Sequence, residues 1–541
     1  MEHPCLPWAE HITTLNFADN CISFSNKNSN VISNEMEAIL VTVGLLGAII
    51  LLVYKYLSWH HGVFKEVGLD GPKPNIFLGN FPSAITGKQP MVYDVDEVYS
   101  KYKNTHKAIG VFMTRNPQIL ILDPGLAQKI MVTNFGKFRG NVAADLIYNR
   151  KEDKIAAGSP FFTSDESWKA KRLHVVGGLK QNKLSMAYPI WKGCAKKLAK
   201  YLETRTANGN AIIETKNLGF CFTSNVLGEF LWGIETNAFA KSNEPNTFLE
   251  MSQKWLQYIA QSFTVYFKLL PVPWLRRFAQ PRLFPLATDR FFTQLTKDAL
   301  EWREKDESSQ NRVDFLNYLR QLQEKKNLTL NDMVGCMLTT TLDGFETSAT
   351  VLFHTIFYLA HHPQYQEKLR MEILANLEED GSVSYQKLCA LPYLNQCVNE
   401  SIRLISVVSF YARICTEPTE LEVGQGLVIP IKVGQVVSVP VFSFHHNPDH
   451  FPKPYEFNPD RFNNDAHLDL MKRGIFMPFG NGPRICAGMH LGLVEVKTCL
   501  VEIFKAYRVK CCAKTIPEKR PESPTFIMGI DGEFWLEYER L

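Results

Sequence analysis

The sequence lacks any large excess of charge of one sign, and it is poor in cysteine. Lysine and arginine together number 59 and aspartate and glutamate 55, which leaves a formal net charge of +4 over 541 residues. Surfaces that bind nucleic acid need a clustered basic excess, so we expect no nucleic-acid partner. The 12 cysteines include no Cys-x-x-Cys pair. This excludes a zinc ribbon or a thioredoxin-type motif and indicates mostly free thiols in a reducing compartment.

Apolar residues are plentiful, at 45% of the chain, with 12% aromatics, as in a folded globular protein. One segment departs from the soluble pattern. Residues 38–54 carry no charge, and continuing past Lys55 to Leu57 gives a run of 20 residues. At about 1.5 Å per residue such a helix matches the roughly 30 Å core of a bilayer, so we predict a transmembrane anchor at residues 38–57. A buried core helix and a cleaved signal peptide are the alternatives.

Charge on either side of this run predicts its orientation. Residues 1–37 contain five acidic residues and one lysine, whereas Lys55 and Lys65 follow the run. The acidic leader has the wrong sign for a signal peptide. By the positive-inside rule the leader lies in the lumen and the rest of the chain in the cytosol, across a single span. If the leader is lumenal, Cys5 and Cys21 are candidates for a disulfide.

The chain divides into a leader (1–37), an anchor (38–57), a basic, proline-rich hinge (58–74) and one body (75–541). Pro72 and Pro74 end the hinge and prevent helical continuation there. Apolar periodicity predicts helices at 94–102, 125–133, 166–179, 188–206, 217–231, 284–307, 313–323, 330–361, 363–377, 391–404 and 486–504. Strand-like runs lie at 109–113, 118–122, 427–430 and 436–440. The sequence therefore predicts a mainly α body with small β-sheets.

The strongest chemical signal is the segment Phe479-Gly480-Asn481-Gly482-Pro483-Arg484-Ile485-Cys486-Ala487-Gly488. A cysteine in a glycine-rich loop before an apolar helix can have its thiolate stabilised by backbone N–H groups, as a metal ligand or as a nucleophile. A nucleophilic cysteine needs a base, and no histidine stands in a comparable context. A lone buried thiol is the third interpretation.

The spacing Phe-Gly-x-Gly-x-Arg-x-Cys-x-Gly is the haem-thiolate signature of the cytochrome P450 family, which the chain resembles from about Gly62 to Leu541. The resemblance implies the cytochrome P450 fold and haem b as cofactor, with Cys486 as axial ligand of the iron and Phe479 and Gly480 in the haem-binding loop. Glu400 and Arg403, three residues apart, and Arg461 match the family's structural triad behind that loop.

The resemblance also implies partners for the two haem propionates. Trp168 and Arg172 match the family's Trp-x-x-x-Arg helix, which offers an indole N–H and a guanidinium one turn apart. Arg413 and Arg484 match the remaining propionate partners.

Oxygen chemistry is expected on the long helix at 330–361. Carried over from the family, Thr347 hydrogen-bonds dioxygen and Glu346 helps relay protons. Asp343 stands where the family usually has Ala or Gly. A carboxylate there must be paired with a cation, have a raised pKa or take part in the reaction. We therefore count Asp343 as catalytic. Ser406 replaces a common proline and is expected to alter one loop over the substrate pocket.

Further motifs resemble the microsomal group that contains animal drug and sterol hydroxylases and insect detoxification enzymes. By analogy, substrate contacts come from 141–162, 407–411 and 526–528. The apolar stretch 263–275, interpreted as a connection between helices, is expected to dip into the membrane interface, since Trp274 with Arg276 and Arg277 suits that boundary. A packed core segment is the alternative.

We therefore expect a monooxygenase of the endoplasmic reticulum membrane that inserts one oxygen atom into a lipophilic xenobiotic, steroid or fatty acid. The chain has no flavin or dinucleotide fingerprint, so NADPH must act through a diflavin reductase, with cytochrome b5 as a second candidate donor. The candidates for docking the electron donor are Lys169, Lys171, Lys180 and Lys183. The alternatives are a reductase-independent peroxide isomerase or dehydratase of the same fold and a non-enzymatic haem sensor, neither of which requires the Glu346–Thr347 pair.

Overall fold

The structure, a computed structural model, describes the backbone of residues 17–146, 150–239, 247–279, 282–522 and 527–541, and side chains for all of these except residues 17–33 and Arg277. By its internal contacts the chain divides into two units, Met1–His60 and His61–Leu541. Cys5 and the side chain of Cys21, the candidate disulfide, lie outside the described residues.

Helices make up most of the described part of the chain. The helices are α1 (Phe17–Ser58), α2 (Val63–Glu66), α3 (Ser83–Thr86), α4 (Met91–Tyr102), α5 (Pro124–Gln128), α6 (Lys154–Gly158), α7 (Trp168–Gly178), α8 (Gln181–Arg205), α9 (Thr215–Leu227), α10 (Thr247–Lys268), α11 (Arg276–Ala279), α12 (Leu286–Lys305), α13 (Glu307–Gln310), α14 (Phe315–Lys326), α15 (Leu330–His361), α16 (Pro363–Ala375), α17 (Tyr385–Ala390), α18 (Pro392–Ile405), α19 (Val441–His445), α20 (Ala466–Lys472) and α21 (Met489–Ala506). Short π-helices follow α5 and α9, at Lys129–Thr133 and Gly228–Trp232.

The described residues also form nine short strands. They are β1 (Ala108–Met113), β2 (Asn116–Ile121), β3 (Ala211–Glu214), β4 (Tyr411–Ile414), β5 (Thr419–Gly424), β6 (Leu427–Ile431), β7 (Val436–Val439), β8 (Tyr507–Cys511) and β9 (Trp535–Arg540). They form a four-stranded sheet in the order β1-β2-β7-β4, a three-stranded sheet β3-β9-β8 and a hairpin β5-β6. In the first sheet β2 and β7 run parallel and the other pairs antiparallel. The predicted class, mainly α with small sheets, is confirmed.

Helix α15 is the central element. It begins with a capping box in which Thr329 and Asp332 each accept from the other's backbone N–H, and it ends at His361, as predicted. Its residues Met333–Leu338 and Ser348–Ala360 are buried, and it packs against α9, α18 and α21. A helix that is apolar on nearly all sides belongs in the core of a large body.

Two sequence predictions about helices are wrong. Helix α8 begins at Gln181, seven residues before the predicted start, and it accommodates Pro189 in its interior because Leu184, Tyr188 and Trp191 bury its apolar face. The supposed connection at 263–275 is helical in its first half, since α10 continues to Lys268. Strands β3, β4, β5, β8 and β9 were not predicted.

Helix α1 is longer than the predicted anchor. Its part from Asn34 to Ser58 is long and apolar enough to cross a bilayer. Its large apolar side chains are mostly exposed; Leu40, Ile50 and Leu52 each have 68% of their surface accessible. Such exposure in water is unfavourable, which favours a lipid environment for this helix.

Candidate active site

The glycine-rich loop before α21 holds Cys486. Gly480 and Gly482 adopt φ values of 76° and 68°, in the left-handed region that favours glycine. A Cβ atom at position 482 would lie 2.0 Å from the carbonyl oxygen of Met131, so only glycine fits there. The N–H of Cys486 donates to the carbonyl of Phe479 at 2.8 Å and closes the loop.

The environment of the Cys486 sulfur favours the protonated thiol. Burial, and after it the charge of Asp343, raise the pKa of Cys486 to about 11, while the N–H groups of Gly488 and Met489 donate to the sulfur and oppose this rise. A free nucleophile would need a lowered pKa. A coordinated metal ion deprotonates a thiol outright, so the site suits a metal ligand better than a nucleophile.

Three arginines converge near this loop although they come from distant segments; Arg413 is buried, and Arg172 and Arg484 are half-buried. Arg172, Arg413 and Arg484 all line the cavity that Cys486 lines. Burial, with repulsion between the cations, lowers the pKa of Arg413 to about 10 and that of Arg484 to about 9, and burial lowers the pKa of Arg172. Within the described residues none of the three forms an ion pair, and Nε of Arg413 has no hydrogen-bond partner. Buried cations require anions, so the site fits a cofactor that carries carboxylates.

Backbone carbonyls and one indole ring orient these guanidinium groups. Arg172 donates to the carbonyl of Ile485, next to Cys486. Arg484 donates to the carbonyls of Arg139 and Thr163, at 3.0 Å each. Its guanidinium carbon lies 4.3 Å from the ring centre of Trp168, a cation–π contact. The four predicted propionate partners therefore line one cavity, and backbone carbonyls orient Arg172 and Arg484.

The cavity has a volume of ≈ 1390 Å³. Pockets for one drug-sized ligand hold about 300–1,000 Å³, so this one has room for a large flat cofactor and a substrate together. Cys486 and Ala487 line it from the loop, and Asp343 and Thr347 from α15. The sulfur and the polar turn of α15 thus share one enclosed, largely apolar space.

The polar turn of α15 carries the three predicted catalytic residues. The hydroxyl of Thr347 donates to the carbonyl of Asp343, one turn earlier. Burial raises the pKa of Asp343 to about 7, and the charge of Arg172 opposes this shift. Burial likewise raises the pKa of Glu346, with Lys216 as the opposing charge. A carboxyl with a pKa near neutrality can accept and release protons in the working range of an enzyme.

The predicted triad lies behind the loop, outside the cavity lining. Arg403 Nε and Arg461 Nε lie 2.7 Å and 3.1 Å from the carboxylate of Glu400. Arg403 also donates to the carbonyls of His445 and Pro454 at 2.8 Å each. Glu400 and Arg403 are fully buried. Their contacts hold α18 against the segments that contain His445, Pro454 and Arg461.

Comparison with known proteins connects this geometry to a family. The profile of the Cytochrome P450 family matches residues 69–535. The chain belongs to the cytochrome P450 family. Among its relatives, Probable cytochrome P450 309a1 of Drosophila melanogaster is 40% identical over 91% of this chain and 96% of its own length. Probable cytochrome P450 28a5 of the same species is 34% identical, over 93% and 100%. Cytochrome P450 3A16 of Mus musculus is 28% identical over 497 residues, 88% of this chain and 93% of that protein.

As a cytochrome P450 the protein is a monooxygenase of a haem-thiolate family. The residues present fit haem. Cys486 is a half-buried thiol at the cavity wall that suits a metal, and the three arginines without ion pairs among the described residues suit the two propionates.

Parts of the three predicted substrate segments line the cavity of this cytochrome P450. Asn141, Phe161, Val407, Phe410 and Ile527 are among the lining residues. Residues 147–149 and Phe526 lie outside the described residues. Met528 belongs to a separate cluster, packed with Val92 and Phe442, so its predicted contact with substrate is wrong in this structure.

Two predictions about individual polar residues need correction. Arg276 is buried rather than exposed at a membrane boundary, and it donates to the carbonyls of Asp145 and Leu146. Lys171 donates to the carbonyl of Ala157, so it is not free for docking. Ser406 itself is 1% exposed and lies outside the cavity lining, directly before Val407, which lines it, so its predicted effect on that loop stays a prediction. The spacing of residues along the chain does not reveal which distant backbone carbonyls a side chain contacts.

Proposed function

We propose that this cytochrome P450 takes two electrons from NADPH through a diflavin reductase and inserts one oxygen atom of O2 into a lipophilic small molecule, such as a xenobiotic, steroid or fatty acid. The observation that carries the proposal is the convergence on one cavity of Cys486, three arginines without ion pairs among the described residues, and the polar turn of α15. Haem bound there would supply the iron at which dioxygen is activated.

The chain's own residues would divide the remaining work. Cys486 would hold the iron, and Trp168, Arg172, Arg413 and Arg484 would hold the propionates, as would suit their burial and fixed hydrogen bonds. The enclosing apolar residues would bind the substrate and exclude water.

Thr347 would present a hydroxyl to dioxygen, with Asp343 and Glu346 as the proton-exchanging groups beside it. The pKa of Asp343, raised by burial to about 7, supports this role because the group is then about half protonated at neutral pH. The Glu346–Thr347 pair favours oxygen activation over the peroxide isomerase and sensor alternatives, since neither of these has dioxygen to protonate.

A membrane location of the endoplasmic reticulum, with the body in the cytosol, is part of the proposal. The apolar helix at Asn34–Ser58 supports a single span. Trp274 and Phe278, just after α10, are 59% and 69% exposed and would suit contact with lipid. Lys169 and Lys180 are exposed and remain candidates for docking the reductase or cytochrome b5.

The axial ligand gives the direct test. Cys486→Ala should abolish the thiolate-type spectrum of the reduced carbon monoxide complex and NADPH-driven product formation with added reductase. Cys512→Ala and Cys336→Ala are matched controls, and both should keep the spectrum. A thiolate-type spectrum in Cys486→Ala would refute the assignment. A screen of steroids, fatty acids and xenobiotics for substrate-induced spectral shifts would then identify the substrate class.

A further inference from the structure

A chain of hydrogen bonds connects the end of α18 to the start of the Cys486 loop. The N–H of Met477 donates to Nε2 of His445 at 3.0 Å. Because Nε2 accepts, the proton of the neutral imidazole lies on Nδ1, which donates to the hydroxyl of Ser406 at 2.9 Å. The Ser406 hydroxyl in turn donates to the carbonyl of Arg403 at 2.9 Å. Every donor in this relay therefore has one acceptor.

Met477 is the residue through which the relay reaches the loop. It precedes Pro478 and Phe479, and the carbonyl of Phe479 accepts from the N–H of Cys486. The hydroxyl of Tyr411 donates to the carbonyl of Met477 at 3.3 Å. A shift of the Met477 peptide would therefore move the first residues of the loop and, through Phe479, the cysteine.

Ser406 sits where the resembled group commonly has proline. It caps α18 in the left-handed region, at φ 44°, and its N–H donates to the carbonyl of Ile402 at 2.8 Å. Proline has a fixed φ near about −65° and no N–H, so it fits neither feature. A serine in this conformation has some backbone strain, but its hydroxyl accepts the hydrogen bond from His445.

The surroundings of His445 keep it neutral. Burial, then the charges of His446 and Arg403, lower the pKa of His445 well below its usual value. The nearby carboxylate, Glu400, is already paired with Arg403 and Arg461. Phe476 packs against the His445 ring at 5.1 Å between ring centres. Protonation would turn Nε2 into a donor facing the Met477 donor, which breaks the first bond of the relay.

We infer that Ser406 and His445 are positioning residues that hold the start of the Cys486 loop, so that the sulfur would stay in place to bind the haem iron and would lose this position when His445 is protonated. The inference rests on the proposed function, since it assumes that Cys486 binds the haem iron. It assigns a role to Ser406 other than shaping a loop over the substrate pocket.

Three variants test the relay in the full-length holoprotein. Ser406→Gly keeps the left-handed backbone and removes the hydroxyl. His445→Gln keeps an acceptor for the Met477 N–H but cannot titrate. His446→Gln is the matched control, because His446 is also buried and stacks on Phe442 at 4.0 Å between ring centres, yet its Nδ1 bonds only the Phe442 carbonyl.

Two measurements apply: the thiolate-type fraction of the carbon monoxide complex against pH and time, and hydrogen exchange of the peptide that contains Met477. Ser406→Gly should lose the thiolate-type spectrum about tenfold faster, the factor expected for one lost hydrogen bond. The Met477 peptide should exchange faster as well, while far-UV circular dichroism stays unchanged. The wild type should lose the thiolate-type spectrum at acid pH before it unfolds, whereas His445→Gln should keep the spectrum until it unfolds.

The inference is overturned if Ser406→Gly behaves like His446→Gln in both measurements, or if His445→Gln keeps the wild-type pH dependence. A wild type without any thiolate-type spectrum would instead refute the proposed function. Faster exchange at Met477 in Ser406→Gly would support the relay in that case too, since this measurement does not depend on the haem spectrum.

Discussion

The hydroxyl of Thr347 makes the same kind of hydrogen bond as other threonines on α15, so only its position distinguishes it. Thr339, Thr340, Thr341 and Thr355 each donate to the carbonyl four residues earlier, as Thr347 does. Thr339, Thr340 and Thr347 line the cavity, and of these Thr347 alone directly follows Glu346. A hydroxyl that is satisfied within the helix can still turn toward a ligand at small cost.

Replacing Thr347 with alanine should therefore affect proton delivery more than folding. We expect substrate binding and the haem spectrum to stay nearly intact, while product formed per NADPH falls by about tenfold or more and peroxide release rises. Thr355→Ala removes an equivalent bond from the buried part of the same helix and should leave the product-to-peroxide ratio unchanged. Equal coupling in the wild type and Thr347→Ala would contradict the assigned role.

At the scale of elements, the contacts of Glu400 hold α18 to the segment 458–465. Its carboxylate accepts from Arg403 on the same helix, from Arg461 in the segment Pro459–Asp465, and from the N–H of Asn458 at 2.9 Å. The guanidinium of Arg403 lies 5.0 Å from the ring centre of Phe451. Removing the carboxylate would leave a fully buried cation without its partner, which is costly in a medium of low polarity.

Glu400→Ala should consequently lower the free energy of unfolding by about 3–5 kcal/mol, the usual cost of breaking a buried pair, and reduce haem content in the purified protein. Glu456→Ala breaks the exposed pair with Lys453 and should cost less than about 1 kcal/mol. Denaturant unfolding and haem absorbance measure both. Similar losses in the two variants would mean that the buried pair contributes no more than a surface one.

At the scale of the whole molecule, the division after His60 separates the apolar helix from the catalytic body. The body contains both large apolar clusters and all residues that line the cavity. It therefore has the core that an independently folding unit requires.

Deleting residues 1–57 should release part of the protein into the soluble fraction and keep the haem spectrum. Residual membrane binding is expected from Trp274 and Phe278, so adding Trp274→Ala and Phe278→Ala to the shortened chain should lower it further. Sedimentation with liposomes measures the bound fraction. Loss of haem from the shortened chain would show instead that the leader is part of the fold.

Where function depends on residues close together in the chain, the sequence alone was sufficient for prediction. The loop before Cys486 needs glycines at fixed offsets, and the pair Glu400–Arg403 needs one helical turn, so both can be recognised from spacing. Helix α15 has the predicted bounds because its apolar run and its capping residues are local signals. The family follows from these motifs, and the profile match at residues 69–535 confirms it.

Only the tertiary structure decided which distant residues meet. Arg172, Arg413 and Arg484 share one cavity because α7, β4 and the loop before α21 converge there. Strand β9 pairs with β8 and with β3, and the pairing with β3 joins residues more than 300 positions apart, which no local pattern encodes. Ser406, His445 and Met477 join in the same way. Periodicity reports which face of an element is apolar, whereas the partner of a buried polar group depends on packing across the whole chain.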